Sequence, residues 1–409
     1  MPPLRPRILW MRGLPLVCSI ILVAGCINTP PEPATSTLPP TSHVAPVSVT
    51  PPPPTATATL TPAPSITPLP TSTPVPTWTP EPTLTPTPSD PVNPFTGLSI
   101  TKEEAAHIPI LIKVSNSPEV RPQTGLGLAD VVMEHYAEGG ITRYTALYLT
   151  NLPEKVGSVR SCRLIDIELV VIFGAGEVCS GTSGGVRQLL KQSVSWDGSG
   201  GVISKTVWMI SDLGTFECRQ QRGCKLPMFR TPDKLPPHNL YANAQNALKE
   251  LQARGKNYPT LFNSWTFSPQ PSSDGRATSQ ITIPYTAGFV TWKYDPSTRT
   301  WLRSIAGWPH VEKLTGKQLA ASNVVVVYVN HVNTLIVEDV GGAHSIQIQL
   351  WGDGPISLFR DGQILRGRWQ RQGNALGLSF VDERGHPLPL KPGVTWIEFV
   401  PLNMVVKTS

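Results

Sequence analysis

Two acidic residues and an arginine stand close to a Gly-Gly pair in M-E-H-Y-A-E-G-G-I-T-R, residues 133–143. Gly139-Gly140 between two β-rich runs predicts a two-residue hairpin turn, because both positions of a type I′ turn need positive φ. Tyr136 then lies opposite Arg143, and directly opposed residues share a face of the sheet. This register puts four polar side chains on one face: Glu134, Tyr136, Glu138 and Arg143. The group is either a solvated cross-strand ion pair or a polar site on a rigid hairpin.

Other polar residues stand in segments that could meet this hairpin. Arg160, Ser161 and Arg163 crowd four positions before an apolar element, and a guanidinium fork suits carboxylate or phosphate. The segment 183–185, Ser-Gly-Gly, precedes a predicted helix whose free N–H groups would add affinity for an anion. We therefore predict one ligand pocket lined by ten residues: Asn116, Arg121, Gln123, Glu138, Arg143, Arg160, Ser161, Arg163, His238 and Asn239.

Catalysis is the alternative interpretation of these residues. Glu134 or Glu138 would supply the acid of a glycan-cleaving enzyme, and Asp130 or Asp166 would be its second carboxylate. His238, held by a proline pair, is a further catalytic candidate, although a lone histidine is more often a structural hydrogen-bonding residue. An ion pair with a nearby arginine would lower the pKa of a general acid, which favours binding over catalysis. The chain has no nucleophile elbow, HExxH or P-loop motif, and we expect no cofactor and no metal.

The first 26 residues have the composition of an export signal. Arg5, Arg7 and Arg12 precede the apolar run G-L-P-L-V-C-S-I-I-L-V-A-G, which is short for a membrane span. V-A-G-C, residues 23–26, resembles a bacterial lipobox, and this resemblance implies a diacylglyceryl group on the sulfur of Cys26. The alternatives are an ordinary secretory signal and an uncleaved anchor. In each case the rest of the chain is exported.

Residues 27–92 predict a disordered spacer. They contain 21 Pro and 17 Thr but only three charged residues, so the segment cannot bury a core and should adopt polyproline II. Residues 93–409 hold 31 basic and 25 acidic residues, with no Lys/Arg run longer than two. This mildly basic balance suits an anionic wall polymer or lipid headgroups. Nucleic acid is not expected as a partner, because no binding motif for it is present.

Four cysteines remain in the exported part, which permits disulfides. The spacing in C-R-Q-Q-R-G-C favours a local Cys218–Cys224 bridge, which leaves Cys162 and Cys179 as the second pair. A zinc site built from the four is disfavoured, because no C-x-x-C pair is present.

Two regions of different hydrophobic periodicity follow the spacer. Residues 93–258 predict a mixed α/β domain, and residues 259–409 predict a mostly antiparallel β domain, a sandwich or barrel, so the fold class is α+β. The predicted elements of the first region are a strand at 108–116, a hairpin at 130–149, an apolar helix or strand at 164–173, and helices at 186–192 and 243–253. Seven of the eleven tryptophans follow residue 264. They are core residues or, alternatively, a surface platform for sugars.

Seven motifs together carry a family resemblance. They are N-P-F-T-G-L (93–98), N-S-P-E-V-R-P-Q-T-G-L (116–126), A-D-V-V-M-E (129–134), E-G-G-I-T-R (138–143), V-G-S-V-R-S-C-R (156–163), P-H-N-L-Y (237–241) and P-G-V-T-W-I (392–397). In their order they resemble the YerB-like family of bacterial lipoproteins, whose function is unassigned. The resemblance implies an N-terminal family domain and a smaller C-terminal one. This chain departs from the family pattern at Cys162, where a small residue is usual, and in the loop 174–185.

Three classes of function follow from these patterns. The favoured one is a lipid-anchored, extracytoplasmic protein that binds an anionic envelope ligand, such as a wall glycan, a peptide stem or a teichoic polymer. The second is a glycan-cleaving enzyme that uses Glu134 or Glu138. The third is a structural partner of an envelope complex, with the β-rich region as its docking surface.

Overall fold

A mixed β-sheet of eleven strands forms the centre of the fold. The computed structural model describes residues 90–193, 207–209, 227–253, 255, 258–373 and 377–409. Within these ranges the fold is mostly β with few helices. The α-helices are α1 (Lys102–Ala105), α2 (Ile165–Phe173), α3 (Gly184–Gln192) and α4 (Ala244–Ala253). Of the helices so described, none is long and apolar enough to cross a membrane.

The strands account for most of the regular structure. In chain order they are β1 (Ile110–Ser115), β2 (Val131–Tyr136), β3 (Thr142–Tyr148), β4 (Val156–Gly157), β5 (Gly176–Cys179), β6 (Val207–Met209), β7 (Met228–Arg230), β8 (Leu240–Ala242), β9 (Arg276–Ala277), β10 (Gln280–Ile283), β11 (Val290–Asp295), β12 (Thr300–Ile305), β13 (Trp308–Pro309), β14 (Ala320–Ala321), β15 (Asn323–Val329), β16 (His331–Val337), β17 (His344–Ile348), β18 (Gly352–Arg360), β19 (Gln363–Arg371), β20 (Ser379–Val381), β21 (Thr395–Pro401) and β22 (Lys407–Thr408).

Strands from both sides of residue 258 share the central sheet. Its order is β20-β19-β18-β15-β21-β2-β3-β1-β5-β6, and β9 also pairs with β19. The join is a parallel pairing of β2 with β21, which runs from Val131 opposite Thr395 to Glu134 opposite Glu398. The two predicted regions are therefore hydrogen-bonded to each other through one continuous sheet. The boundary between two domains at residue 258 stays a prediction from the sequence.

Apolar layers cover both faces of this sheet, so its strands carry long runs of buried residues. The side chains of Leu111, Met133 and Ile397 point towards α2 and α3 on one face. Those of Val114, Tyr144 and Trp396 point the other way, towards the second sheet. Because adjacent residues of a strand face opposite sides, a shift of one residue would exchange the two layers.

The second sheet has six strands, in the order β13-β12-β11-β10-β22, with β14 paired to β12. Trp292 and Trp301 from this sheet are fully buried, and the indole of Trp292 packs against Trp396 of the central sheet. Most of the seven late tryptophans are thus core residues, and Trp308 and Trp351 are the two that are exposed. Two smaller sheets complete the described part: β16 with β17, and β4-β8-β7.

The predicted elements are largely present. The strand at 108–116, the hairpin strands, and the helices at 186–192 and 243–253 are confirmed as β1, β2, β3, α3 and α4. The apolar run at 164–173 is a helix, α2. The β-rich runs after residue 259 are strands, but they do not form a separate sandwich or barrel, since β15, β18 to β21 and β9 extend the central sheet.

Candidate functional site

The hairpin at Gly139-Gly140 has a register different from the predicted one. Both glycines have positive φ, as expected, but Glu138–Gly140 form a 3-10 turn and Ala137 N donates to Ile141 O at 2.8 Å. The loop therefore has three residues instead of two. Arg143 lies opposite His135, and the predicted pairing with Tyr136 is wrong. The shift of one residue places Arg143 on the opposite face of the sheet from Glu134 and Tyr136.

Glu138 nevertheless meets Arg143, because the turn folds its carboxylate back over the sheet. The Nη2 atom of Arg143 donates to Glu138 Oε1 at 2.7 Å. Arg163 approaches the same carboxylate with two of its nitrogens, Nε and Nη2. The three side chains are only 8% to 11% exposed. Two guanidinium groups thus share one carboxylate at the start of β3.

The close contact of these groups shifts the pKa values of Glu138 and Arg143. Burial by itself would raise the pKa of Glu138, but the hydrogen bond from Arg163 and the charge of Arg143 outweigh it and lower the pKa to about 2. Burial and the neighbouring charge of Arg163 lower the pKa of Arg143 to about 10. Glu338, 3.8 Å from Arg163 Nη1, adds a second acid at the margin.

Arg160 lies beside this cluster and has a different set of partners. Its Nη2 atom is 2.9 Å from His238 Nδ1, and its Nε donates to the hydroxyl of Ser115 at 3.4 Å. Burial and the positive charge of Arg163 lower the pKa of Arg160, while Glu119 opposes that shift. Burial and the charge of Arg160 also lower the pKa of His238, which favours the neutral form of its ring.

The main chain around Arg160 is held by β1 and by the loop after β5. Arg160 N donates to Lys113 O, and Ser180 N donates to Arg160 O. The predicted Cys162–Cys179 disulfide is confirmed and joins the segment that follows Arg160 to the last residue of β5, with Cα atoms 5.4 Å apart. Cys218 and Cys224 lie outside the described residues. Ser161 takes part through its carbonyl, which accepts from Arg143 Nη1 at 2.8 Å.

The predicted helix after Ser183 is α3, and Ser183 caps it by accepting from Val186 N at 3.4 Å. Its first turn packs on β16, since a side chain at Gly185 would meet Ile336 at 2.7 Å. The helix N-terminus is thus partly covered by the β16–β17 hairpin.

Asn116, Arg121 and Gln123 form a separate network on the other face of the sheet. Asn116 Nδ2 donates to Thr142 Oγ1 at 2.7 Å and to Glu134 Oε1 at 3.1 Å. Arg121 donates to Asn116 Oδ1 at 3.1 Å and to its carbonyl at 2.8 Å, and Gln123 donates to the same Oδ1 at 3.3 Å. The structure therefore brings these three together, but they face away from Arg143 and are joined to Glu134.

Three other candidates have structural partners. Glu134 is fully buried and pairs with Arg303. Asp130 accepts from Leu149 N at 2.6 Å and from Asn93 Nδ2 at 3.0 Å, which fixes the chain around β2 and β3. Asn239 Oδ1 accepts from Arg230 Nη1 at 2.8 Å, and its Nδ2 donates to Thr231 O at 3.0 Å. Each of these side chains has its polar atoms bonded within the fold.

A buried charged cluster that we did not expect lies on the same face as Arg143. Lys113 of β1 pairs with Asp166 at the start of α2, and its Nζ is 2.9 Å from His135 Nε2 and 3.9 Å from Glu177 Oε1. Burial, then repulsion by Asp166, raises the pKa of Glu177 well above its usual range. The only signals in the sequence are single charges inside apolar runs, as in I-L-I-K-V and G-E-V-C. Of the four residues in this cluster, only Asp166 was predicted from the sequence as a candidate site residue.

Comparisons with known proteins agree with the resemblance seen in the motifs. A family described as protein of unknown function (DUF3048) matches twice, with its N-terminal domain over residues 95–258 and its C-terminal domain over residues 281–397. The chain is 28% identical over 312 residues to "Putative lipoprotein YerB" of Bacillus subtilis (strain 168), which covers 75% of this chain and 86% of that protein. The crystal structure of YerB protein from Bacillus subtilis is similar, with a TM-score of 0.62 and 27% identity over 78% of this chain and 100% of that one.

Proposed function

This chain belongs to the DUF3048 family, whose function is unknown, and we propose that it is a lipid-anchored extracytoplasmic protein that binds an anionic envelope ligand at Arg160. The name of its Bacillus subtilis relative and the V-A-G-C motif ending at Cys26 support the lipid anchor. A membrane anchor followed by a Pro/Thr-rich spacer would allow the folded part to reach wall polymers at a distance.

The excess of guanidinium groups at one place carries the proposal for the ligand. Arg143 and Arg163 share the carboxylate of Glu138, whereas Arg160 contacts the neutral groups of His238 and Ser115. Within the described residues no carboxylate lies in ion-pair distance of Arg160. Burial and mutual repulsion lower the pKa values of Arg143 and Arg160, so an anion that bound there would relieve the repulsion.

The donors around Arg160 suit an oxyanion of a phosphodiester or carboxylate. Arg160 is half-buried, so its fork retains an open side, and its contact with Nδ1 of the neutral His238 leaves Nε2–H of that ring as a donor. Glu138 and Glu338 balance the charges of Arg143 and Arg163, so Arg160 carries the positive charge that remains for a ligand. Ligand classes with such groups are anionic wall polymers, glycans and stem peptides.

The glycan-cleaving alternative has less physical support. A pKa of about 2 leaves Glu138 ionised at neutral pH, which is unsuitable for a general acid. Glu134 is sealed from solvent and paired with Arg303. Docking onto an envelope complex remains a second candidate, which the following experiment distinguishes.

The test is retention of the full chain on purified cell wall, before and after acid extraction of its anionic polymers. Arg160→Ala should weaken retention about tenfold or more, the usual effect of losing hydrogen bonds to a charged group. Arg160→Lys should recover part of it, since the charge remains without the fork. Arg368→Ala, at an exposed arginine of β19, is the matched control and should bind like the unchanged chain.

Extraction should abolish retention if the ligand is an anionic polymer, and should leave it if glycan or stem peptide binds. Equal retention of Arg160→Ala and Arg368→Ala would refute the site. Retention that needs other envelope proteins would support docking instead.

A further inference from the structure

Two neighbouring turns each expose a leucine that directly follows a lysine. The turns are T-P-D-K-L-P-P-H, residues 231–238, and E-K-L-T-G-K, residues 312–317. Leu235 is 81% exposed and Leu314 is 52% exposed. The turns lie side by side, because Lys313 Nζ is 3.5 Å from Asp233 Oδ2. A single exposed leucine is ordinary on a protein surface, whereas exposed leucines on adjoining turns indicate an interaction surface.

Both turns are held by contacts with the rest of the fold. Glu312 points inwards and accepts from two main-chain N–H groups of the segment 125–127, at 2.8 Å each. Lys234 Nζ donates to Val120 O at 2.9 Å. Three of the eight residues in the first turn are proline, which restricts its main chain. The two leucines are therefore presented on supported turns.

Lysine side chains surround these leucines. Lys155 Nζ lies 3.9 Å from Asp233 Oδ2, on the carboxylate that Lys313 also approaches. Burial, then the charge of Lys313, lowers the pKa of Lys234, while Asp233 opposes that shift and Lys155 adds to it. Two positive neighbours thus act on Lys234 against one negative neighbour. Lys317, at the end of the second turn, is a further exposed ammonium group.

The acids at the margin do not cancel this positive charge. Glu119 lies beside Arg160, and these two opposite charges offset each other. Glu154, which precedes Lys155, is exposed. Four lysines therefore face two carboxylates, those of Asp233 and Glu154. Positive charge next to exposed apolar side chains is the combination that binds the interface of an anionic bilayer.

We propose that the turns 231–238 and 312–317 dock this protein onto an anionic lipid bilayer. Leu235 and Leu314 enter the boundary between headgroups and acyl chains, and the lysines meet the lipid phosphates. A soluble anionic polymer would engage the lysines but has no apolar region for the leucines. An acyl anchor on Cys26 would hold the folded part near the membrane, so a weak second contact suffices. The contact is reversible, so the spacer still allows the folded part to reach the wall.

Co-sedimentation with vesicles tests the proposal. The chain used begins at residue 26 and carries Cys26→Ser, so neither acyl chains nor the apolar run of the signal contribute. We expect binding to phosphatidylglycerol vesicles and much weaker binding to phosphatidylcholine vesicles. Leu235→Gln should lower partitioning into phosphatidylglycerol about tenfold, because one leucine side chain no longer enters the interface. Leu335→Gln, at a 93% exposed leucine of β16, is the matched control and should have no effect.

The contribution of charge is measured on the same vesicles. Lys313→Gln should lower partitioning about fivefold, the effect of one basic residue near an anionic surface. Added salt should weaken binding of the unchanged chain, because it screens this attraction. Lys293→Gln, at an exposed lysine of β11, is the control and should bind like the unchanged chain. Melting temperatures equal to that of the unchanged chain would show that each variant is folded.

Three results would overturn the inference. Equal binding to the two kinds of vesicle would show that the lysines do not select an anionic surface. Equal losses for Leu235→Gln and Leu335→Gln would indicate adsorption without a specific docking surface. Undiminished binding after Leu235→Gln and Leu314→Gln are combined, with loss only in Lys313→Gln, would assign the lysines to a soluble anionic polymer.

Discussion

Glu134 on β2 and Glu398 on β21 occupy paired positions of two parallel strands, and both are fully buried. Arg303 pairs with Glu134, while Tyr285 Oη and Trp292 Nε1 donate to Glu398 at 2.8 Å and 2.9 Å. Glu134 therefore has the ion pair, whereas Glu398 has two neutral donors and only the more distant charge of Arg303. Burial and repulsion by Glu134 raise the pKa of Glu398 to about 8.

The first prediction is that this carboxyl makes stability depend on pH near neutrality. Its folded pKa lies above the ordinary value of 4.5, so its contribution is complete below pH 4.5 and is lost as pH rises towards 8. The free energy of unfolding should fall by up to about 1.4 kcal/mol per pH unit in that window. Glu398→Gln should flatten the slope, and urea titrations at several pH values measure it.

The matched control for this slope is Glu383→Gln, which removes one carboxylate from an exposed turn. It should keep the slope of the unchanged chain. If Glu398→Gln keeps it too, Glu398 does not hold the proton.

A second prediction concerns Glu138, the carboxylate shared by Arg143 and Arg163. Glu138→Gln strands two nearly buried cations and should cost about 3 kcal/mol of stability. Because the pKa of Glu138 is lowered to about 2, its contribution is present above pH 4.5 and is lost as pH falls through 2. Chemical denaturation measures both effects. Glu103→Gln, at an exposed site on α1, should change stability little.

Arg143→Ala removes the hydrogen bonds to Glu138 and to the carbonyl of Ser161, so it should also lower stability and is a poor probe of ligand binding. Arg160, which is half-buried and has no carboxylate partner among the described residues, is the better one. A Glu138→Gln variant as stable as the unchanged chain would show that the ion pairs are not structural.

A third prediction places the start of the folded part. Ile100 N donates to Pro91 O at 2.8 Å, Val92 bridges Ser99, and Phe95 is fully buried. A chain beginning at Asp90 should therefore melt at the same temperature as one beginning at Ile27. A chain beginning at Ser99 loses the Phe95 contacts and should be less stable by about 3–5 kcal/mol. A lower melting temperature for the Asp90 chain than for the Ile27 chain would mean that the Pro/Thr tract contributes to the fold.

A fourth prediction tests the anchor. Cys26→Ser removes the sulfur that would carry the diacylglyceryl group, so the protein should leave the detergent phase in a Triton X-114 partition. Cys18→Ser, in the apolar run before it, is the control and should partition like the unchanged chain. If Cys26→Ser also stays in the detergent phase, the lipobox interpretation is wrong.

The sequence alone determined the local elements of this protein. Alternating β-branched and aromatic residues predicted the strands after residue 259, and the helices α3 and α4 followed from periodicity and flanking glycines. The positive φ angles of Gly139 and Gly140 were also predictable, because they depend on the residues themselves. The backbone freedom of glycine and the periodicity of a segment are short-range properties, which is why neighbouring residues suffice to indicate them.

Only the tertiary structure decided which residues meet. The pairing of β2 with β21 joins residues more than two hundred positions apart, and it alone brings Glu398 to Glu134. The loop between Ala137 and Ile141 has one residue more than predicted, and this places Arg143 on the same face of the sheet as Lys113. Glu138 and Arg163 meet Arg143 there. Asn116 and Gln123 lie on the other face. A period of two residues makes the face of every strand side chain depend on register. In the β2–β3 hairpin the loop length sets that register, whereas the pairing of β2 with β21 depends on packing between distant parts of the chain.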